Sequence, residues 1–286
     1  METKEINSIK IKPVVHLALE PTEILGYDYF PTLYSNIYIC SKRRSGKTTL
    51  IYNILKHCVS KRTNVVFFCS TIHRDSTYKL ILEMLEKKKV NVVSYDHFIE
   101  GKENVLNTIL EELNKSLEEE EEEKERIKNE KLEPKPKMEL FPKEEPKERK
   151  ERKPKKLAPE YVFIFDDLGN DLRHPSITQL AKVSRHYKCK LIFSSQYIHD
   201  LSNSCIKNLD YTLIFKSFNR EKLLTLYEAL DLSIEFETFE KLYQDATAEP
   251  FNFLYVDSRE NLLRKNFNRA CIFLIKINYF LISYYI

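Results

Sequence analysis

Two short stretches hold residue types from which phosphoryl chemistry can be built. Ser41 to Thr48 reads SKRRSGKT, between an apolar run and an amphipathic segment. Gly46 lets the backbone close against an anion with its N–H groups inward. Lys47 can reach the outer phosphates of a nucleotide, and the Thr48 hydroxyl can ligate Mg²⁺. A helix starting there adds the positive end of its dipole. The full pattern is G-x-x-x-x-G-K-[ST], so Ser41 stands where the first glycine is expected. The expected ATP-binding loop is thus Ser41, Lys42, Arg43, Arg44, Ser45, Gly46, Lys47, Thr48 and Thr49. The competing reading is a basic turn that merely caps a helix. Against it, the chain has only 4 glycines, and one falls in this triplet.

The second stretch, Tyr161 to Gly169, reads YVFIFDDLG. Two adjacent carboxylates at the mouth of a buried strand are costly without a cation to balance them. Asp166 is expected to hold Mg²⁺ and Asp167 to orient and activate the attacking water. The bland alternative is an aspartate pair capping a loop. A further run, LIFSSQ, ends in Ser194, Ser195 and Gln196, where a polar group could sense a γ-phosphate. Successive strand ends bearing polar groups suit a crevice at the carboxyl edge of an open sheet. A phosphoryl-transfer site also needs arginines. Arg43 and Arg44 lie in the loop, while Arg185, in VSRHYKCK, and Arg220, in SFNREK, are candidates to reach a neighbouring subunit. Taken singly, each is as well explained as a surface residue.

The elements that must position these groups alternate along the chain. Strands are expected at Tyr34–Cys40, Asn64–Cys69, Val90–Ser94, Tyr161–Phe165, Lys190–Ser194, Tyr211–Phe215 and Phe251–Val256. Helices are expected at Lys47–Val59, Asp75–Lys88, Pro175–Tyr187, Arg220–Leu230 and Glu235–Gln244. Near-continuous apolar strands separated by helices indicate an α/β fold, a mostly parallel sheet covered on both faces. The domain should span residues 31–267, after an N-terminal extension at 1–30. A charged insertion at about 115–158 interrupts it, with the run Glu118 to Glu123 followed by a proline-rich basic stretch. Its first part can continue as a solvated helix from Asn104 to Lys131. The rest cannot bury enough apolar surface to offset the entropy of ordering. Lys+Arg at 46 against Asp+Glu at 43 say little about partners, because local basic surface rather than total charge binds nucleic acid.

The cysteines Cys40, Cys58, Cys69, Cys189, Cys205 and Cys271 lack zinc-ligand spacing and read as buried reduced thiols of a cytosolic or nuclear protein. The N-terminus METKEINSIKIKP lacks the apolar core of a secretory signal. The tail at 268–286 is apolar but interrupted by Lys276 and Asn278, and is shorter than the roughly 20 apolar residues of a membrane span. Packing on the domain or an oligomer contact is the expectation for it.

With these residues in view, the chain resembles the FtsK–HerA superfamily of P-loop ATPases (ASCE/RecA-like). Within it, the likeness is to the genome-packaging ATPases of large DNA viruses, virophages and Polinton-like elements. The likeness rests on KRRSGKT (Lys42 to Thr48), FDD (Phe165 to Asp167), SRH (Ser184 to His186), SSQ (Ser194 to Gln196), IKNLDYTLIFK (Ile206 to Lys216) and FLYVDSRENLLRKNF (Phe253 to Phe267). It implies a core sheet in the order 5-1-4-3-2, with an extra strand between the strands of the phosphate loop and of the acidic pair. It further implies ATP and Mg²⁺ as cofactors and a homo-oligomeric ring that pumps double-stranded DNA without regard to sequence. Capsid or portal proteins would be further partners, in the cytoplasm or nucleus of an infected cell or in the virion. Ser41 and Arg44 depart from the family, which usually carries glycine there. Three other readings stay open: a helicase, conjugation or partition motor on the same core, a nucleotide kinase, and an inactive scaffold.

Overall fold

A computed structural model describes residues 23–72, 74–100, 103–132, 156–216 and 218–270. The first twenty-two residues, the proline-rich half of the insertion and the tail beyond Ala270, with Cys271, lie outside the described residues. In chain order the elements are β1 (Asn36–Cys40), α1 (Lys47–Cys58), β2 (Asn64–Phe68), α2 (Ser76–Lys87) and β3 (Asn91–Tyr95). A two-residue hairpin, β4 (Ile99–Glu100) with β5 (Glu103–Asn104), leads into α3 (Val105–Leu132). Then come β6 (Tyr161–Asp166), α4 (Pro175–Val183), β7 (Cys189–Ser195), α5 (Asn203–Ile206), β8 (Tyr211–Phe215), α6 (Arg220–Leu230) and α7 (Phe236–Ala246). The described chain closes with β9 (Phe253–Asp257), β10 (Leu262–Lys265) and β11 (Arg269–Ala270).

Among the described residues one sheet holds nine strands, ordered β11-β10-β9-β8-β1-β7-β6-β2-β3. Its centre, β8-β1-β7-β6-β2, is parallel and has the expected order, with β7 between the strand of the phosphate loop and that of the acidic pair. The whole sheet is wider than expected. β3 adds a parallel edge beyond β2, and β9 to β11 add an antiparallel ribbon beyond β8. That ribbon turns where the Asp257 carboxylate accepts from the N–H groups of Arg259 and Glu260, and Asn261 takes a left-handed φ of 51°.

Successive strand residues point to opposite faces, and both faces are apolar. Ile37, Ile39, Val65, Phe67, Val162, Ile164 and Ile192 pack against α1 and α2 on one side. Tyr38, Cys40, Val66, Phe68, Phe163, Phe165 and Phe193 pack against the other helices on the second. On that second face, Phe68, Phe165 and Phe193 form a ladder across three paired strands, with ring centroids 5.1 and 5.3 Å apart. This stack stiffens the strand that ends in Asp166. Ile24 and Phe30, ahead of residue 31, are buried against the domain, and Ile24 bridges to Leu157 where the chain returns from the insertion. Helix α4 stops at Val183, short of the expected Tyr187, because the chain must turn, with Lys188 at φ 54°, to start β7 at Cys189.

Candidate active site

The SGKT turn follows β1 and opens α1, while the aspartate pair ends β6, two strands away at the same carboxyl edge. The sheet therefore brings together groups 120 residues apart: Lys47 Nζ lies 3.1 Å from Asp167 Oδ1 and 3.2 Å from Asp166 Oδ1. Burial would lower the Lys47 pKa, but the attraction of the two carboxylates outweighs it and raises the value, so the amine is a cation. One ammonium against two carboxylates leaves an excess negative charge at the strand mouth, which favours a divalent cation.

Gly46 caps α1 with φ 97°, and no side chain caps the helix. The first N–H groups of α1 are thus left for an anion. The backbone angle demands glycine here; a Cβ on Gly46 would also approach the exposed Phe251 ring at 3.1 Å, close enough that the ring would have to shift slightly. The two departures from the glycine-rich pattern differ in consequence. Ser41 has no positive φ; its N–H continues the β1–β7 pairing by donating to the Ser195 carbonyl at 3.1 Å, and its side chain is buried. Arg44 does adopt the left-handed region, φ 62°, at a cost of about 1–2 kcal/mol for a side chain with a Cβ.

Asp166 is almost fully buried. Its Oδ2 accepts from the Tyr78 hydroxyl at 2.5 Å. Burial, reinforced by the nearby carboxylate, pushes the Tyr78 pKa well up, so the phenol stays a donor. Oδ1 sits at ion-pair distance from Lys47 but receives no hydrogen bond. A buried carboxylate oxygen with that spare capacity, in a cavity also lined by Thr48, fits the hard oxygen chemistry of Mg²⁺, which keeps waters and takes phosphate oxygens alongside one or two protein ligands. Asp166 and Thr48 would hold the ion, which would neutralise phosphate charge. Asp167 is set at φ 57°, with its N–H donating to the Ser194 carbonyl and a third of its side chain exposed. That turn leaves a carboxylate at the cavity where a water could be held and deprotonated.

The cavity has a volume of about 400 Å³ and is lined by Arg43, Arg44, Gly46, Lys47, Thr48 and Thr49 from the loop, and by Asp166 and Asp167. Ser41, Lys42 and Ser45 are not in its lining. Ser45 instead ties the loop to itself, its hydroxyl donating to the Lys42 carbonyl at 2.7 Å. Gln196 also lies outside the lining; it follows β7 half-buried, its carbonyl beside the Cys40 thiol. Arg185 sits before β7, at the opposite, amino edge of the sheet, paired with Asp210 at 3.0 Å. Arg220 pairs with Glu240 at 3.2 Å and stacks over Phe236.

Sequence reasoning missed Thr71, Asp75, Thr77, Tyr78 and Phe251, all of which line the cavity. A signal existed for Asp75 and Thr77. Asp75 caps α2 by accepting from Thr77 N–H at 2.7 Å, a cap legible in DST before an amphipathic run. The order 5-1-4-3-2 puts that strand end beside the acidic pair. Phe251, in a loop before β9, carried none.

The five described cysteines are buried and free of disulfides, and burial pushes the Cys40 and Cys205 thiols up to about 12. Among the described residues no helix is long and apolar enough to cross a membrane.

No family model and no curated protein matches the sequence. Solved structures do. The genome-packaging NTPase B204 of Sulfolobus turreted icosahedral virus 2, in complex with AMP, aligns at TM-score 0.50 and 16% identity, over 82% of this chain and 96% of that one. B204 of Sulfolobus turreted icosahedral virus, described as a DNA-packaging ATPase, aligns at TM-score 0.50 and 18% identity, over 82% and 97%. At such identity the likeness is one of fold, and the fold is that of the P-loop ATPases.

Proposed function

We propose that this protein hydrolyses ATP with Mg²⁺ and uses the energy to translocate double-stranded DNA, as a genome-packaging motor. One observation carries the reading: the Lys47 amine touches both carboxylates of the acidic pair beside an uncapped helix N-terminus. Lys47, Thr48 and the loop N–H groups bind the phosphates. Asp166, fixed by Tyr78, holds the ion, and Asp167 takes the proton of the attacking water. The fold shared with two viral packaging enzymes supports DNA as the polymer that is moved, and a homo-oligomeric ring is the working form we assign to it.

A ring packs one face of each subunit against a different face of the next. A residue that acts in trans therefore lies away from its own cavity, as the exposed Arg185 does. We assign it the contact with the neighbour's phosphates.

The test is release of inorganic phosphate from ATP, measured with and without double-stranded DNA at several salt concentrations. Turnover should rise with DNA, the stimulation should fall steeply with salt, and Lys47→Ala and Asp167→Asn should each abolish it. Normal turnover in either variant removes the proposed site. Hydrolysis indifferent to DNA but stimulated by a nucleoside makes the protein a kinase instead.

A further inference from the structure

The phosphate cavity has a neighbour. Beyond the Phe251 ring lies a second cavity of about 450 Å³, and the two share Gly46, Thr49 and Phe251 in their walls. The characters differ. The first is lined by charge, the second by the rings of Tyr29, Phe215, Phe251, Phe253 and Phe267. Its inner wall is prebuilt: Phe253 and Phe267 meet edge to face at 5.2 Å, Phe215 and Phe253 pack at 5.3 Å, and Tyr29 and Phe267 at 4.5 Å. Phe251 is the exception, 70% exposed and at φ 67°, a large ring held in water over the phosphate loop. A left-handed backbone at a bulky residue is the kind of local strain that clusters at ligand sites, and here it holds an aromatic ring at the boundary of the two cavities.

The amides of this cavity are mostly spent on one another. Asn266 accepts from Phe253 N–H at 3.1 Å and donates to Asn252 at 3.0 Å, and Asn252 donates to Glu249 at 2.9 Å. Asn53 differs. Its Nδ2 donates to the Thr49 carbonyl at 2.9 Å, one turn back on α1. With Nδ2 engaged, Oδ1 is the group Asn53 can offer to a ligand, and Asn53 lines the cavity.

We infer that this second cavity is the purine subsite of the nucleotide site, that Phe251 covers the base, and that Asn53 Oδ1 selects adenine over guanine. The inference rests on the phosphate site of the proposed function and deepens it. An aromatic cavity joined to a phosphate cavity through one glycine and one threonine suits a ligand with a flat apolar end and a polyanionic end. Adenine offers an exocyclic amine as donor where guanine offers a carbonyl oxygen. Against the Asn53 oxygen the amine is paired, whereas the carbonyl is repelled.

Equilibrium binding to the full chain with Mg²⁺ tests this, using the imido analogues of ATP and GTP and inorganic tripolyphosphate. The ATP analogue should bind at least about tenfold more tightly than tripolyphosphate, as base stacking on aromatic rings allows. Phe251→Ala, at an exposed position that the core does not need, should weaken the ATP analogue about tenfold and tripolyphosphate far less, because the ring offers the phosphates no hydrogen-bond donor. Asn53→Leu should narrow the gap between the ATP and GTP analogues. Equal affinity for the ATP analogue and tripolyphosphate, or a Phe251→Ala loss shared by both, overturns the base subsite while the phosphate site stands. A GTP analogue bound as tightly as the ATP analogue by the unaltered chain overturns the role of Asn53. Failure of both the ATP analogue and tripolyphosphate to bind removes the phosphate site and this inference with it.

Discussion

At the scale of residues, the site is a set of charges that hold one another in place. Lys47 is kept cationic by two carboxylates, and Asp166 is kept in one orientation by Tyr78. Tyr78→Phe removes that donor while leaving the ring packed on Phe67. A buried carboxylate that loses its hydrogen bond costs about 1–3 kcal/mol. The variant should unfold at lower denaturant and need more Mg²⁺ for half-maximal hydrolysis, with residual turnover at saturating metal. Unchanged Mg²⁺ dependence would make Tyr78 a core residue only. Lys47, Thr48, Asp166 and Asp167 were all legible in the sequence, because each sits in a local pattern whose chemistry fixes the residue type. Tyr78 was not, since a buried tyrosine on a helix reads as core until its hydroxyl is seen to meet the end of β6, the strand that pairs with β2.

At the scale of elements, the acidic pair depends on the strand that presents it. Phe165 is fully buried, lies between Phe68 and Phe193 in the aromatic ladder, and directly precedes Asp166. Phe165→Ala opens a cavity in that stack and should cost about 3–5 kcal/mol in equilibrium unfolding; a loss under about 1 kcal/mol would mean that the ladder adds little. The parallel strands could be read from continuous apolar runs, and α1, α2 and α6 from their periodicity. β9 was expected, as part of Phe251–Val256, but β10 and β11 were not, because LLRK and RA carry charges and the turn before them relies on Asp257 and Asn261. Helix α3 covers nearly the expected residues, but its first turns are not solvated: Leu106, Leu110 and Leu113 are buried in the core, and further along Glu120 reaches Lys188 at 3.0 Å.

At the scale of the whole molecule, one charge lies inside the fold rather than at its edge. Lys190, on the central strand β7, is buried and donates to the Thr32 carbonyl and the Ser35 hydroxyl, with its amine over the Phe30 ring. Burial pushes its pKa down to about 8, opposed by Cys58 and Asp210. The folded value lies below the unfolded one, so between about pH 8 and 10.5 the unfolded chain keeps a proton that the folded chain has released. Stability from this residue therefore rises with pH across that window, by up to about 1.4 kcal/mol per unit. The buried thiols, with raised values, act in the opposite sense. The readout is accordingly the difference in unfolding free energy between the unaltered chain and Lys190→Met. That difference should move in favour of the unaltered chain from pH 8 to 10, and a flat difference would show that Lys190 does not titrate there.

The sequence by itself determined the SGKT turn at a helix start, the acidic pair at a strand end and the α/β class, because each follows from residue types a few positions apart. Only the tertiary structure decided which strand ends share an edge. That put Tyr78 on Asp166, Phe251 over Gly46 and Arg185 at the far side of the sheet. Such neighbours are set by strand order and sheet twist, which depend on the packing of the whole core and leave no mark in any local run of residues.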